Sequence, residues 1–315
     1  MFGDHSPHFR EPEWLFSGNL EDRLSYLKGF RDARGTLYWL TFDTHHLLVE
    51  GKPHRRLEYI DQYDEDHLQE CLEKQTRLFT AYSAWLMGLN ALCARSETGL
   101  NERQVAQLRL THVVSVVWLS TCLSRDEGSC DSYIGHFQHA LDQAAKVLGH
   151  GVPQIQFEQG VIPPLYFTAL KCRDLVIRQQ ALSLLQKAPS REGLWRRDEA
   201  VRVARRVIDL ETSNSHIVSE GNIFQSARIC EAKIKYTDEV GTYVKFYSKL
   251  VGRQSSALNI TISMTLGTSS TCEPALLPAT FLKDDDVDRT VSYVRSALSF
   301  AASFLKAHVK DAKIR

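Results

Sequence analysis

Along most of the chain apolar residues recur at helical spacing, and the polar residues between them mark where each segment starts and stops. Residues 1–18 are polar, contain proline and histidine, and read as a flexible N-terminal arm. Asn19 is expected to cap a short helix carrying Leu20, Leu24 and Leu27, with Gly29 and Gly35 loosening the chain beyond it. Thr36 to Glu50 is dense in aromatics and fits helix or strand by pattern alone, with helix favoured by context, and Gly51-Lys52-Pro53 breaks it. His67 to Arg95 keeps Leu68, Leu72, Phe79, Tyr82, Leu86, Leu89 and Cys93 in helical register, as one long helix or a pair kinked near Gly88. Asn101 caps the next helix, whose run Val113 to Leu123 is apolar enough to be surrounded on all sides. A helix over Asp131 to Leu148 presents Tyr133, Phe137, Leu141, Ala144 and Leu148, and Gly149 ends it.

The stretch from Ile162 to Glu211 is the most sharply patterned. Pro163 and Pro164 suit the first helical turn, where a missing N–H costs nothing. Asp174 caps a second helix with Ile177, Ala181, Leu184 and Leu185 on its inner stripe, and Ala188-Pro189 ends it. After the polar turn Ser190 to Gly193, a third helix places Ala200, Val203, Ala204, Val207 and Ile208 on one face. Beyond Glu211 the character changes to runs rich in Ile, Tyr, Val and Phe around a polar turn, Thr237 to Gly241, and only Leu258 to Leu266 alternates apolar with polar. Arg228 to Tyr236 and Thr242 to Ser248 read as a β-hairpin, Leu258 to Leu266 offers a third strand, and a last helix follows Asp284. The expected fold is mainly α: packed helical hairpins in a TPR-like or HEAT-like bundle, with a small C-terminal β-hairpin, although no repeat period is visible.

The charge balance limits the function. The chain has 315 residues, 43% of them hydrophobic, and its 38 basic and 38 acidic residues cancel. No general basic excess draws it to nucleic acid or an anionic membrane. Seven scattered cysteines suit reduced thiols packed as small hydrophobes. The amino terminus lacks the pattern of a secretory signal, which leaves the Asn259-Ile260-Thr261 sequon idle, and the uncharged runs Leu78–Ala94 and Leu110–Ser124 are too short to span a bilayer.

One resemblance emerges from the central stretch. Pro163-Pro164-Leu165-Tyr166-Phe167, then Lys171-Cys172-Arg173-Asp174 with Ile177-Arg178, then Pro189-Ser190-Arg191-Glu192-Gly193-Leu194-Trp195 resemble the helical regulatory region of fungal-specific transcription factors. In that family the region lies downstream of a DNA-binding zinc binuclear cluster. The match is dense over about fifty residues and marks a scaffold rather than chemistry, so Pro163, Pro164, Cys172, Arg173, Asp174, Arg178, Arg191, Glu192, Gly193 and Trp195 are structural candidates. The resemblance implies a single helical regulatory domain over 19–315 with a β appendage at about 228–266. It further implies a nuclear, non-enzymatic protein with no cofactor. Its partners would be other transcription-regulatory proteins or a DNA-binding partner chain, with a homodimer as an alternative and control of a metabolic gene cluster as the setting. A helical adaptor outside transcription, or an enzyme whose site is assembled from distant residues, are the competing readings.

Candidate chemistry is thin. Asp43, Thr44-His45-His46 and Glu50 could be drawn as a metal site, but adjacent helical histidines diverge by about 100°. His136 and His139, near Cys130, lack the Cys-x-x-Cys or His-Glu-x-x-His context of zinc. Cys172 sits between Lys171 and Arg173, which could activate a thiol, yet neighbours on a helix point away. Arg191, Arg196, Arg197, Arg202, Arg205 and Arg206 around Trp195 suggest a nucleic-acid patch, but Asp198 and Asp209 lie at i, i+4 from Arg202 and Arg205, as on a self-compensated solvated face. Phosphate-binding glycine loops and the nucleophile-elbow motif are absent from the sequence. The expectation is that this chain alone binds neither zinc nor specific DNA, because a binuclear cluster needs six closely spaced cysteine thiolates. DNA binding would then belong to an upstream segment, a partner chain or a lost ancestral function.

Overall fold

The computed structural model describes residues 27–55, 64–95, 100–149, 155–156, 160–213, 228–237, 241–248 and 264–265. The N-terminal arm, nearly all of the Asn19-capped helix, the sequon and the helix after Asp284 lie outside the described residues. The chain divides into two compact units between Leu123 and Ser124.

The first unit is helical. Helix α1 (Phe30–Glu50) runs straight through Gly35, where the sequence suggested a looser chain. A short helix α2 (Lys52–Arg55) follows at once, so the break at Gly51 is a turn between two helices. Helix α3 (Glu65–Ala94) is a single element of 30 residues, its first turn closed by Asp64, whose carboxylate accepts from Asp66 N and His67 N. Helix α4 (Glu102–Thr121) opens with a capping box in which Asn101 and Gln104 satisfy each other's backbone N–H groups. No residue from Val113 to Leu123 is exposed, as that nearly all-apolar run predicts.

Helices α1, α3 and α4 pack on one another around Leu37, Leu40, Leu47, Trp85, Leu89, Leu92, Leu108 and Leu119. Several buried or half-buried hydroxyls in this core are held by carbonyls one helical turn away. Thr36, Thr41 and Thr44 return their hydroxyls to the carbonyls of Asp32, Leu37 and Leu40. Thr44 also meets the Tyr82 hydroxyl at 3.0 Å, and Trp85 Nε1 donates to Ala33 O at 2.9 Å. Burial pushes the Tyr82 phenol up to about 12, so it stays protonated and able to donate.

The second unit begins with a 3-10 turn (Glu127–Tyr133) capped by Asp126. Helix α5 (Ile134–Gly149) buries Phe137, Ala140, Leu141, Ala144 and Val147. Tyr133, expected on that stripe, belongs instead to the 3-10 turn. A two-residue strand β1 (Ile155–Gln156) precedes helix α6 (Ile162–Lys171) and helix α7 (Leu175–Lys187). Two further short strands, β2 (Arg191–Glu192) and β3 (Trp195–Arg196), lead into helix α8 (Arg197–Ser213). Strand β2 pairs parallel with β1 and antiparallel with β3, which makes a small sheet out of what the sequence presented as a plain turn. Gly193 between β2 and β3 takes φ 55°, a conformation glycine adopts without strain.

The expected hairpin forms from β4 (Ile229–Thr237) and β5 (Gly241–Ser248), and β6 (Met264–Thr265) adds the third strand. Its Val244 and Phe246 are buried against Val203 and Val207 of α8, with Tyr166 and Leu170 of α6 alongside. Alternate residues of β5 therefore close the same core that α8 lines, as period-two burial requires. Among the described residues the fold is thus mainly helical, with eight α-helices and a small antiparallel hairpin. No described helix is long and apolar enough to cross a membrane.

Candidate functional site

The residues that carry the family resemblance assemble on one frame within the second unit. Pro163 and Pro164 occupy the first turn of α6, as their missing N–H groups favour. Cys172 terminates that helix and Asp174 starts the next, its carboxylate accepting from Ile177 N at 2.9 Å. Arg173 lies in the tight connection between them, and Arg178 falls on the inner stripe of α7 with Ile177, Ala181, Leu182 and Leu185. Leu184, expected on that stripe, is only half-buried; the stripe is centred one position further round the helix.

Both arginines are interior, and both face Glu211 on the last turn of α8. Exposure is 1% for Arg173 and 0% for Arg178 and Glu211. Arg178 Nη1 donates to Glu211 Oε2 at 2.5 Å and its Nε to Ala169 O at 2.8 Å. Arg173 Nη1 lies 3.4 Å from Glu211 Oε1 and also donates to Leu170 O. The same carboxylate accepts from Ile229 N at 2.6 Å, while Arg173 Nη2 reaches Ile229 O at 3.4 Å. One carboxylate and one guanidinium thus hold the first residue of the hairpin by both its backbone groups. At the outer side Glu127 pairs with Lys171 at 2.8 Å, and Arg228 with Asp131 at 2.6 Å. Burial pushes the Arg178 guanidinium below its usual range, and the Glu211 charge opposes that shift.

A second buried acid holds the opposite end of α6. Glu192 accepts from Gly160 N at 2.9 Å, Val161 N at 3.0 Å and Ile162 N at 2.8 Å, satisfying N–H groups that the start of a helix leaves unpaired. Burial raises its carboxyl above the usual carboxylate range, and the three N–H groups work in the opposite direction. The approach is close. A Cβ on Gly160 would stand 2.6 Å from Glu192 Oε1.

The remaining motif residues serve the same frame. Trp195 packs on Tyr166 with ring centroids 5.5 Å apart, which anchors the turn to α6. Arg191 is exposed and donates to Gly193 O within its own turn. Burial pushes the Cys172 thiol up to about 11, which leaves it protonated and unreactive near neutrality, and Lys171 turns to Glu127. On the arginine face, Arg196 pairs with Glu199 and Arg197 with Asp198.

The histidines considered as ligands find aromatic neighbours. His45 lies against Trp118 and His46 against Phe42, so the adjacent pair diverges; His136 sits against Tyr133 and is exposed, while Cys130 is buried. A different group converges: His54, His67 and Cys71, with one donor atom from each lying within 4.8 Å of the others. His67 and Cys71 stand at i, i+4, a spacing legible in the sequence, but only the turn at Gly51 brings His54 to them.

Glu211, Glu127 and the pairing of β1 with β2 were missed because each depends on partners tens of residues away; the β2–β3 pair is local but only two residues long on each side. Chemically the frame holds elements together. Arg173, Arg178 and Glu211 present no surface that a substrate could reach. Comparison with family models, curated proteins and solved structures finds no match to this chain.

Proposed function

We propose that the chain is a regulatory module of the fungal-specific transcription factor type, acting through protein–protein or ligand interactions rather than catalysis. One observation carries the reading. The residues on which the resemblance rests are those that build the frame: Pro163 and Pro164 start α6, Glu192 caps it, Arg173 and Arg178 meet Glu211 behind it, and Trp195 anchors the turn. A motif whose members each have a distinct mechanical task is what a scaffold signature requires. The module would work in the nucleus, with other regulatory proteins or a DNA-binding partner chain, in control of a metabolic gene cluster. Specific DNA contact would come from elsewhere, since the chain has no net charge to contribute a phosphate attraction.

The test is a reporter assay in a filamentous fungus with the chain fused to a heterologous DNA-binding domain. The fusion is expected to change reporter output, and Glu211→Gln to abolish the change together with folding. A folded, nuclear fusion that leaves the reporter unchanged would overturn the proposal.

A further inference from the structure

Two imidazoles and a sulfur meet where α2 returns along the first turns of α3. His54 Nε2 is 2.8 Å from His67 Nδ1, and Cys71 Sγ is 3.9 Å from His67 Nε2. His54 is 2% exposed, Cys71 0%, and His67 is half-buried. Each position has a local cause. His67 and Cys71 are one helical turn apart on α3 and share a face. His54 reaches that face because the chain turns at Gly51, where a Cβ would stand 2.3 Å from Leu123 Cδ2 and 3.1 Å from Leu47 O.

We propose that His54, His67 and Cys71 form a binding site for a borderline divalent cation of the zinc type, held by two imidazole nitrogens and one thiolate. Nitrogen and sulfur donors select zinc over magnesium or calcium, which take oxygen ligands. Zinc–nitrogen bonds of about 2.0–2.1 Å and a zinc–sulfur bond of about 2.3 Å require donor atoms roughly 3.3–3.7 Å apart. His67 would bind through one of its ring nitrogens, and with one donor atom taken from each residue the three lie within 4.8 Å of one another, so side-chain rotations about the existing positions close them to that range. On binding, the Cys71 S–H bond breaks and its proton passes to solvent, while the proton shared between the two imidazoles moves to a ring nitrogen that does not bind, so each neutral ring gives one nitrogen to the metal. No electron is transferred. Three protein donors leave the fourth position to water, on the side where His67 is half-buried. The ion would tie α2 to α3 across the thirteen positions separating His54 from His67.

This site is separate from the binuclear cluster of the family resembled, and it amends the expectation that the chain binds no zinc. That expectation rested on missing Cys-x-x-Cys groups, a pattern that a His-x-x-x-Cys pair completed by a distant histidine does not need.

The experiment is cobalt titration of the full, metal-free chain, read by the thiolate-to-cobalt charge-transfer band in the near ultraviolet. One equivalent should produce the band in the wild type and in Cys93→Ser, a variant of an exposed cysteine on the same helix. Cys71→Ser should lose the band, and His54→Ala and His67→Ala should each weaken binding at least tenfold. X-ray absorption of the zinc-loaded wild type, which needs no variant to fold, should show one sulfur and two imidazole nitrogens. Absence of the band in the wild type, its persistence in Cys71→Ser, or a metal shell without sulfur would overturn the proposal. None of these outcomes depends on the regulatory reading.

Discussion

The cores of the two units solve the problem of interior polarity in opposite ways. Around α1, α3 and α4 the buried polar groups are mostly hydroxyls and an indole N–H bonded to carbonyls of their own or an adjacent helix, with the His45 imidazole beside them. Around α6, α7 and α8 they include ionisable side chains, Arg173, Arg178, Glu192 and Glu211, beside the neutral Thr168. Neutral groups cost little to bury once hydrogen-bonded, whereas buried charges carry a desolvation penalty that their pairing offsets only in part. Arg173 Nε and Arg178 Nη2 have no hydrogen-bond partner among the described residues, which adds to that penalty. What the charges supply is geometry, since only one arrangement of two helices, a connection and a hairpin brings Glu211 to both guanidinia and to Ile229 at once. The neutral core contributes stability, and the charged one specifies which elements meet.

The comparison predicts its largest effect at Glu211. Glu211→Gln should destabilise the second unit by about 3–5 kcal/mol, because two interior arginines lose their counter-charge. The joint replacement Arg173→Met, Arg178→Met, Glu211→Leu should recover most of that loss. Both are read by denaturant unfolding, and a joint variant no better than the single one would mean that the charges contribute net stability.

Packing should come next. Leu185→Ala, at 0% exposure, should cost about 3 kcal/mol, and half-buried Leu184→Ala clearly less. Equal losses at the two positions would place the inner stripe where the sequence first suggested.

Acid should then separate the units. Burial and neighbouring His46 lower His45 from 6.5 to about 4, so the unfolded chain takes up the proton before the folded one does. Stability of the first unit is therefore fully present above about pH 6.5 and is lost as pH falls toward 4, by on the order of 2–3 kcal/mol. His45→Asn should flatten that slope, as followed by melting temperature against pH.

The smallest expected effect is in the neutral network. Thr44→Val deletes the hydroxyl that meets Tyr82 and should cost about 1–2 kcal/mol, well below Glu211→Gln. A loss as large as that at Glu211 would erase the distinction between the two cores.

How far the sequence could be read follows the span of each interaction. The caps at Asn101 and Asp174 and the prolines of α6 act within a single helical turn, so residue type and spacing reveal them directly. The inner stripe of α8 was legible because Ala200, Val203, Ala204, Val207 and Ile208 repeat at the helical period, and all five are buried. The hairpin was legible from two runs of β-branched and aromatic residues around a polar turn, and its third strand from alternation in the Leu258–Leu266 run, of which Met264–Thr265 pairs with β5. By contrast, Glu192 caps a helix from thirty-two residues away, Arg173 meets Glu211 across thirty-eight, and His54 meets His67 across thirteen. Nothing local distinguishes Glu192 from a surface acid in a polar turn, or Arg178 from a solvated helix residue. Helix periods, caps and fold class are set by neighbours a few residues apart and therefore belong to the sequence itself. Which charges become interior, and which imidazoles converge on a thiol, depends on chain segments that only packing brings together.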